Sequence, residues 1–393
     1  METPRPRHVL FLTARDTRNP EGGGSEVYVE RMAAEMVARG HNATVVCAEH
    51  GQAPRLEVKA SGVRMIRRGG RHTVYLRAAV LYLAGFFGVG ALARGKRGRP
   101  DVIVDICNGV PFLSVLYARR PVIALVHHPH REQWHVVLPG WRAHFGWWIE
   151  SRLAIWAYRR CPYVTVSEAT RSELVQMGVD RERITIVHNG TPELVGEPVD
   201  RAAEPELLIL GRLVPHKRIE VALRATAALA PEFPGLNLVV AGQGWWEANL
   251  RETAAELGLT DRVRFTGFVP ERVKHELLCS AWVALMPSLK EGWGLTIVEA
   301  GAVGTPTVAF REGGGVSESI VDGVTGQLAD DEEAFIEHVR LLLADSARRR
   351  DMGAAARAHA ASFTWAASGE KFAGMVAARA GVAARAGEPY LVP

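Results

Sequence analysis

The chain has 393 residues, 48% hydrophobic and 23% charged, which suits two soluble globular domains with substantial cores. Its four cysteines (Cys47, Cys107, Cys161, Cys279) are far apart and form no CxxC pair, which argues against a disulfide framework or structural zinc site and suits a reducing cytoplasm. The net charge of +4 conceals an asymmetry: residues 1–190 hold 27 Lys and Arg against 16 Asp and Glu, and residues 191–393 hold 20 against 27. The basic half carries "RRGGR" (67–71) and "RGKRGRP" (94–100), which solvation alone accounts for or which serve an anionic partner. That partner is read as a phospholipid surface or phosphate-bearing acceptor, not nucleic acid.

The opening "METPRPRHVLFLTA" is too short and too quickly charged for a signal peptide, so a cytoplasmic chain is expected. The sequons at Asn42 and Asn189 then read as chance matches. A strand "HVLFLTA", a glycine-rich loop "RNPEGGGSE", a helix "EVYVERMAAEMVARG" and a strand "NATVVCAE" follow in order. Val27, Met32, Met36 and Val37 are spaced to line one face of that helix.

The longest apolar run, residues 78–93, is 16 residues, short of the roughly 18 to 20 a spanning helix needs. A buried helix is the expectation; a surface helix dipping into a bilayer is the alternative. Strand-like runs "DVIVDIC", "PVIALVHH", "YVTVSE" and "ITIVHNG" complete the first half. Between them, residues 134–158 hold Trp134, Trp141, Trp147, Trp148 and Trp156. Core is the plain reading of that density; an apolar acceptor groove or membrane-facing patch is the other.

The polar, proline-containing stretch 190–205 reads as a linker. At residue 206 the alternation restarts: "ELLILGRL", "HKRIEVALRATAALA", "LNLVVAGQG", "VRFTGFV", "VALMPS", "TPTVAF" and "GQLA". Strands alternating with helices predict two doubly wound parallel sheets, in domains 1–190 and 206–365. An Ala-rich helix over 366–393 is expected to pack back on the first domain.

In open α/β sheets, ligands sit beyond the carboxyl ends of strands. Arg212 and Lys217 lie there, beside a helix start, and make a pocket for a diphosphate or merely surface cations. "AGQGW" (241–245) brings Gly242 and Gly244 to a strand end, where backbone approaches a ligand closely; the loop is no GxGxxG fingerprint. In "SLKEGWGLTIVEAG" (288–301) a helix is predicted to start near Leu295, with Glu299 about one turn inside it and Glu291 in the preceding loop. Helix-start amides suit a phosphate, and Gly292 and Gly294 clear the approach. A carboxylate one turn inside accepts from two adjacent hydroxyls, as on a ribose, and one in the loop from a sugar. The plainer reading leaves Glu299 complementing the helix dipole and Glu291 solvated.

Eight motifs now stand in order: "GGGSE", "LVHH", "TVSEAT", "VHNGTP", "GRLVPHK", "AGQGW", "VRFTGFV" and "EGWGLTIVEA", with Glu291 and Glu299 spaced E-x7-E. Together they resemble bacterial family 4 glycosyltransferases, over nearly the whole chain. The resemblance implies the GT-B fold, two Rossmann-like doubly wound domains facing across a cleft. It implies a retaining, metal-independent transfer of a hexosyl group from a UDP- or GDP-sugar to a hydroxyl acceptor. Arg212 and Lys217 would bind the diphosphate, Glu299 the ribose, and Glu291 the sugar. The Gly292–Thr296 backbone, with Trp293 and Leu295, would hold sugar and phosphate. The segment 265–269, with Phe268 and Val269, would contact the base, and Gly23 and Gly24 the diphosphate. A histidine near sugar and acceptor falls at His127, with His128 as runner-up; a structural hydrogen-bonder is its other reading. Trp293 stands where Phe or Tyr is more usual, and no DxD occurs. The acceptor is expected to be lipid-linked, a cell-envelope glycan or a secondary metabolite, with a peripheral membrane contact through the basic half. The rivals are a membrane-associated sugar-nucleotide-binding protein without turnover, and a GT-B-type sugar-nucleotide epimerase, which would lack the E-x7-E loop.

Overall fold

The computed structural model describes residues 6–93, 99–193, 195–196 and 199–386. Most of the basic run 94–100, part of the expected linker and the chain end from 387 lie outside the described residues. By internal contacts the chain divides into two compact units, Asn189–Thr364 and the remainder.

The first unit holds β1 (His8–Leu12), α1 (Gly24–Ala38), β2 (Asn42–Cys47), β3 (Leu56–Val58), β4 (Arg64–Arg67), α2 (Val74–Phe86), β5 (Val102–Ile106) and β6 (Val122–Val126). It continues with α3 (Arg131–Val137), α4 (Trp141–Trp148), a π-helical turn (Ile149–Leu153), α5 (Ala154–Ala157), β7 (Tyr163–Thr165), α6 (Glu168–Gln176) and β8 (Ile184–Ile186). The strands form one sheet in the order β3-β4-β2-β1-β5-β6-β7-β8. All pair in parallel except β3, which runs antiparallel to β4 at the edge. Strands such as β1 and β5 are buried at every residue, as central parallel strands covered on both faces must be.

The C-terminal helix (Trp365–Ala386) belongs to this first unit. It packs against α1, stacks Phe372 on Phe11 with centroids 5.9 Å apart, and donates from Ser368 Oγ to the His188 carbonyl at 2.7 Å. This partner changes the buried face of α1. Tyr28, Val29, Met32, Ala33 and Met36 are buried, whereas the predicted Val27 and Val37 are half-buried. The helix faces both the sheet and the C-terminal helix, so its apolar arc is centred elsewhere.

The second unit holds β9 (Glu206–Leu210), a 3₁₀ turn (Pro215–Lys217), α7 (Ile219–Leu229), β10 (Asn237–Ala241), α8 (Glu247–Glu256), β11 (Val263–Gly267) and α9 (Glu271–Ser280). It ends with β12 (Val283–Met286), α10 (Leu295–Ala302), β13 (Thr307–Phe310), α11 (Val316–Ser319), β14 (Gly326–Ala329), α12 (Glu332–Ala344) and α13 (Ser346–Ala361). Its six strands are parallel, in the order β11-β10-β9-β12-β13-β14. The order reverses between β9 and β12, the switch point where such sheets open a ligand crevice.

Two expectations change here. The run 78–93 is not a buried helix: α2 exposes Leu76, Val80, Leu83 and, just past its end, Phe87. Nor is the tryptophan-rich stretch all core, since Trp141, Trp148 and Trp156 are exposed. Among the described residues, no helix is long and apolar enough to cross a membrane.

Candidate active site

Four strand ends of the second unit carry most of the predicted residues. Arg212 and Lys217 follow β9; Gly242 and Gly244 follow β10; Phe268 and Val269 follow β11; Glu291 to Thr296 follow β12. Lys217 Nζ lies 2.5 Å from Glu291 Oε1, so the loop after β9 and the loop after β12 are tied across the switch point. Burial pushes the Glu291 carboxyl up, but the Lys217 ammonium, a hydrogen bond from Ser288 and the nearby His216 outweigh it. The carboxyl is held below its ordinary range and is an acceptor only at neutral pH.

The main chain of Glu291 is fixed too. Its N–H donates to the Gly313 carbonyl and its carbonyl accepts from Gly315 N–H, both at 2.9 Å. A Cβ on Gly315 would stand 2.1 Å from the Gly292 oxygen, so only glycine lets the loop after β13 lie this close. The run Gly313–Gly315 was not singled out from sequence, although glycines at a strand end were the readable signal.

Helix α10 starts at Leu295, as predicted, with Gly294 in the left-handed conformation at φ +86° before it. The amides of Leu295 and Thr296 have no intrahelical acceptor at this end. The Trp293 side chain is buried, with its ring 4.9 Å from that of Phe363, so this residue offers a ligand only its backbone. Thr296 Oγ1 and Thr307 Oγ1 have no partner, and both line a small pocket with Leu208, Leu210 and Met286. The Thr296 hydroxyl thus lines this pocket, and the part of Thr296 at the helix start is its amide.

Glu299 is buried one turn inside α10 and accepts from Lys274 Nζ at 2.9 Å. Burial raises its carboxyl above the ordinary value in spite of Lys274. Burial works against the Lys274 ammonium, yet Glu299 and Glu271 together raise it. Sequence reading missed Lys274, because the partners sit 25 residues apart on α9 and α10.

The glycines after β10 are also required by the chain's own packing. A Cβ on Gly242 (φ +142°) would lie 1.8 Å from the Gly211 oxygen, and one on Gly244 would lie 2.1 Å from the Leu213 oxygen. They let two loops of the chain itself pack together, and through that contact they seat Arg212. Phe268 is 73% exposed at the end of β11 and free to meet a base, whereas Phe265 packs against the core under Arg251.

The first unit carries the rest. Gly23 is the N-cap of α1, but its N–H donates to Glu26 Oε2 at 2.8 Å. The helix start is therefore already met by a carboxylate, which offsets its pull on a phosphate; Gly24 follows as the first helical residue. His127 directly follows β6 and is 5% exposed. Its Nδ1 lies 3.1 Å from Asn108 Nδ2 and 3.2 Å from Asn108 Oδ1, Tyr28 meets its ring edge-on at 5.2 Å, and its Nε2 is buried without a partner. Burial lowers its pKa to about 4; Glu26 works against that shift and His130 with it. The imidazole is neutral at physiological pH. His128 is half-buried, with Nε2 3.2 Å from Gln133 Nε2 and its ring 4.5 Å from that of His130. Asn108, two residues past the end of β5, was also missed.

One predicted basic cluster is partly internal. Arg67 is fully buried, with Nη2 2.6 Å from Asp16 Oδ2 and 3.0 Å from Glu57 Oε2. Burial raises the Asp16 carboxyl, but Arg67 and His50 bring it below its ordinary value. Arg67 thus offers no charge to an external partner.

A glycine-preceded helix start, a lysine-paired carboxylate at E-x7-E spacing and two doubly wound units are therefore what the chain brings together. The model of glycosyltransferase family 4 matches residues 22–193, and that of glycosyl transferases group 1 matches residues 194–359. The chain belongs to family 4 of the glycosyltransferases and has the two-domain GT-B fold.

D-inositol 3-phosphate glycosyltransferase from Nocardia farcinica is 36% identical over 223 residues, 52% of this chain and 49% of that protein. The Corynebacterium diphtheriae protein of the same name is 37% identical over 173 residues, 42% of this chain and 40% of its own length. These matches span about half the length of the relatives, or less. Sucrose-phosphate synthase from Thermosynechococcus elongatus superposes with a TM-score of 0.80 at 19% identity, over 94% of this chain and 98% of its own. Anabaena HepE in complex with UDP and glucose gives 0.71 at 18% identity, over 95% and 100%.

Proposed function

We propose that this protein is a retaining glycosyltransferase that moves a hexosyl group from a UDP- or GDP-sugar to a hydroxyl acceptor. The observation that carries the reading is the Lys217–Glu291 pair beside the start of α10. It places a cation, a carboxylate and free helix amides at one switch point, the chemistry a sugar diphosphate needs.

In the proposed reaction the bond from the anomeric carbon to the β-phosphate oxygen breaks. Negative charge grows on the diphosphate, and Arg212, Lys217 and the amides of Leu295 and Thr296 stabilise it. Glu291 accepts from sugar hydroxyls and holds Lys217 in place. The acceptor oxygen bonds to the same face of the anomeric carbon, and its proton passes to the departing β-phosphate oxygen. Glu299 binds the ribose, with Lys274 paired to its carboxylate. The cations and the helix start fill the role a metal would otherwise have, so none is required. HepE was solved with UDP and glucose, which supports a UDP-sugar as the first donor to try. The inositol-phosphate relatives support a phosphate-bearing acceptor, and the excess of basic residues in the first half supports one presented at a membrane surface.

The test is thermal stabilisation by UDP, GDP, ADP and dTDP, without and then with magnesium. Ligand that binds the folded state raises apparent stability with occupancy. One nucleotide is expected to raise the melting temperature without metal, and Lys217→Ala to abolish the rise. No shift with any nucleotide at millimolar concentration would overturn the donor site. A shift without transfer to any acceptor would favour the non-catalytic binding reading.

A further inference from the structure

Two helical faces of the first unit have no role in binding a nucleotide sugar. On α4, Trp141, Phe145 and Trp148 are 72%, 53% and 49% exposed. Their i, i+4, i+7 spacing puts them on one side of the helix. Their rings form a ladder, with successive centroids 6.5 and 5.9 Å apart. Trp156, beyond the π-helical turn, adds a ring 55% exposed. The opposite side of α4 is seated by Ala143 and Gly146, both buried, and a Cβ on Gly146 would stand 2.5 Å from the Trp134 ring. The small residues therefore face inward and the large ones outward, the reverse of an ordinary surface helix.

Helix α2 repeats the arrangement. Leu76, Val80, Leu83 and Phe87, spaced i, i+4, i+7, i+11, are 70%, 52%, 41% and 75% exposed. Val74, Ala78 and Tyr82 on its other side share one core cluster with Ala154 and Tyr158 beyond α4, beneath the same layer of strand residues. Helix α2 and the helical segment that continues α4 thus cover the same face of the sheet.

The charge along these segments is predominantly basic. Between Ile106 and Ser167 there are seven arginines against Glu132 and Glu150, and Glu150 is buried under Trp134, His130 and Gly109. Helix α2 has Arg77 and no acid. Arg142 lies over Trp141 and Arg159 over Trp156, at 5.9 and 4.9 Å. Arg99 and Arg119 flank Phe86, at 4.9 and 5.1 Å.

We infer that these faces of α2 and α4 dock on an anionic lipid bilayer. Indole and phenyl rings settle at the boundary of headgroup and acyl chain, while arginines reach the phosphates. A groove for one protein partner would be a single compact patch; two separate apolar stripes, edged by arginines, suit a broad surface. The inference names the surface behind the membrane contact proposed above, and it does not depend on the donor.

The experiment is sedimentation of the whole protein with sucrose-loaded vesicles of phosphatidylglycerol and phosphatidylcholine in equal parts, or of phosphatidylcholine alone. The protein is expected to sediment with the anionic vesicles, and less so at high salt. Trp141→Ser/Phe145→Ser/Trp148→Ser and Leu83→Ser/Phe87→Ser are each expected to weaken partitioning at least tenfold. Both variants should keep the wild-type melting temperature and its shift by UDP, or by whichever nucleotide binds. Brominated lipid should quench wild-type tryptophan emission and spare the triple variant. Absence of sedimentation at millimolar anionic lipid, or undiminished sedimentation of both variants, overturns the inference. So does a triple variant that turns a dimer into a monomer in light scattering without changing vesicle binding, which would make the face a contact between copies. Loss of nucleotide binding alone would sink the donor reading and leave this one standing.

Discussion

At the residue scale, Glu291 and Glu299 have different neighbours and so different expected failures. Glu291 is held ionised by Lys217 at the place where sugar would lie, whereas Glu299 is buried with Lys274 at the place where ribose would lie. Glu291→Ala should lower turnover about a hundredfold or more while nucleotide affinity changes little, since it acts on groups that develop charge in the transition state. Glu299→Ala should instead raise the nucleotide dissociation constant roughly tenfold or more, the loss of charge-assisted hydrogen bonds. Calorimetric titration beside initial rates separates the two, and small equal losses in both variants would remove both assignments.

His127 makes a prediction that needs no substrate. Its pKa in the folded protein is about 4, lowered by burial, while an unfolded histidine titrates near about 6.5. Between these values the unfolded chain binds the extra proton, so stability falls as pH falls. From pH 7 to pH 5 the loss should be about 2 kcal/mol, and His127→Gln should lack that part of it. Urea unfolding of both proteins at the two pH values measures the difference; parallel curves would show that the imidazole protonates freely in the fold. Asn108 contributes by orienting the ring: its amide meets Nδ1 and its Oδ1 accepts the His127 main-chain N–H, which leaves the buried Nε2 as the ring nitrogen without a protein partner. Nothing in the sequence joined Asn108 to His127, because the two meet only through the pairing of β5 with β6.

At the scale of elements, legibility followed how local the deciding physics was. The start of α10 could be read because glycines and an apolar run fix a helix boundary within a few residues. The strands could be read because buried parallel strands are continuous apolar runs. Faces were harder. Composition alone makes "AAVLYLAGFFGVGALA" look like interior, but the structure turns Tyr82 and Ala78 inward and Leu83 and Phe87 outward. The tryptophan-rich stretch misled in the same way, since Trp134 ends beside Glu150 and Trp141 ends in the open. A face is set by what covers it, and periodicity reports only that two sides differ. The glycines after β10 teach the complementary lesson: a close approach was legible, but not that the chain's own backbone is one of its partners.

At the scale of the whole molecule, the chain returns to its first unit after completing its second, and this makes stability separable. Trp365, Phe372 and Val376 of the C-terminal helix are buried in the first unit, and Arg7 and Arg39 donate to the Ala377 and Ala366 carbonyls. Alanine-rich sequence made the helix legible, but not its register against α1, which depends on Phe11 and Tyr28, far earlier in the chain. A chain ending at Thr364 would expose the side of α1 and β1 that these residues cover. Burying an aromatic or branched side chain is worth about 1.5–3 kcal/mol, so the first unit should melt roughly 10 °C lower or more. The second unit keeps Arg212, Lys217, Glu299 and the start of α10. In calorimetry the full chain should therefore show a transition that nucleotide raises and a transition that it leaves in place. Truncation should lower only the latter. A single transition that falls as one, with its nucleotide shift lost, would mean that the two units unfold as a single cooperative body, and that the donor site depends on the helix that closes the first.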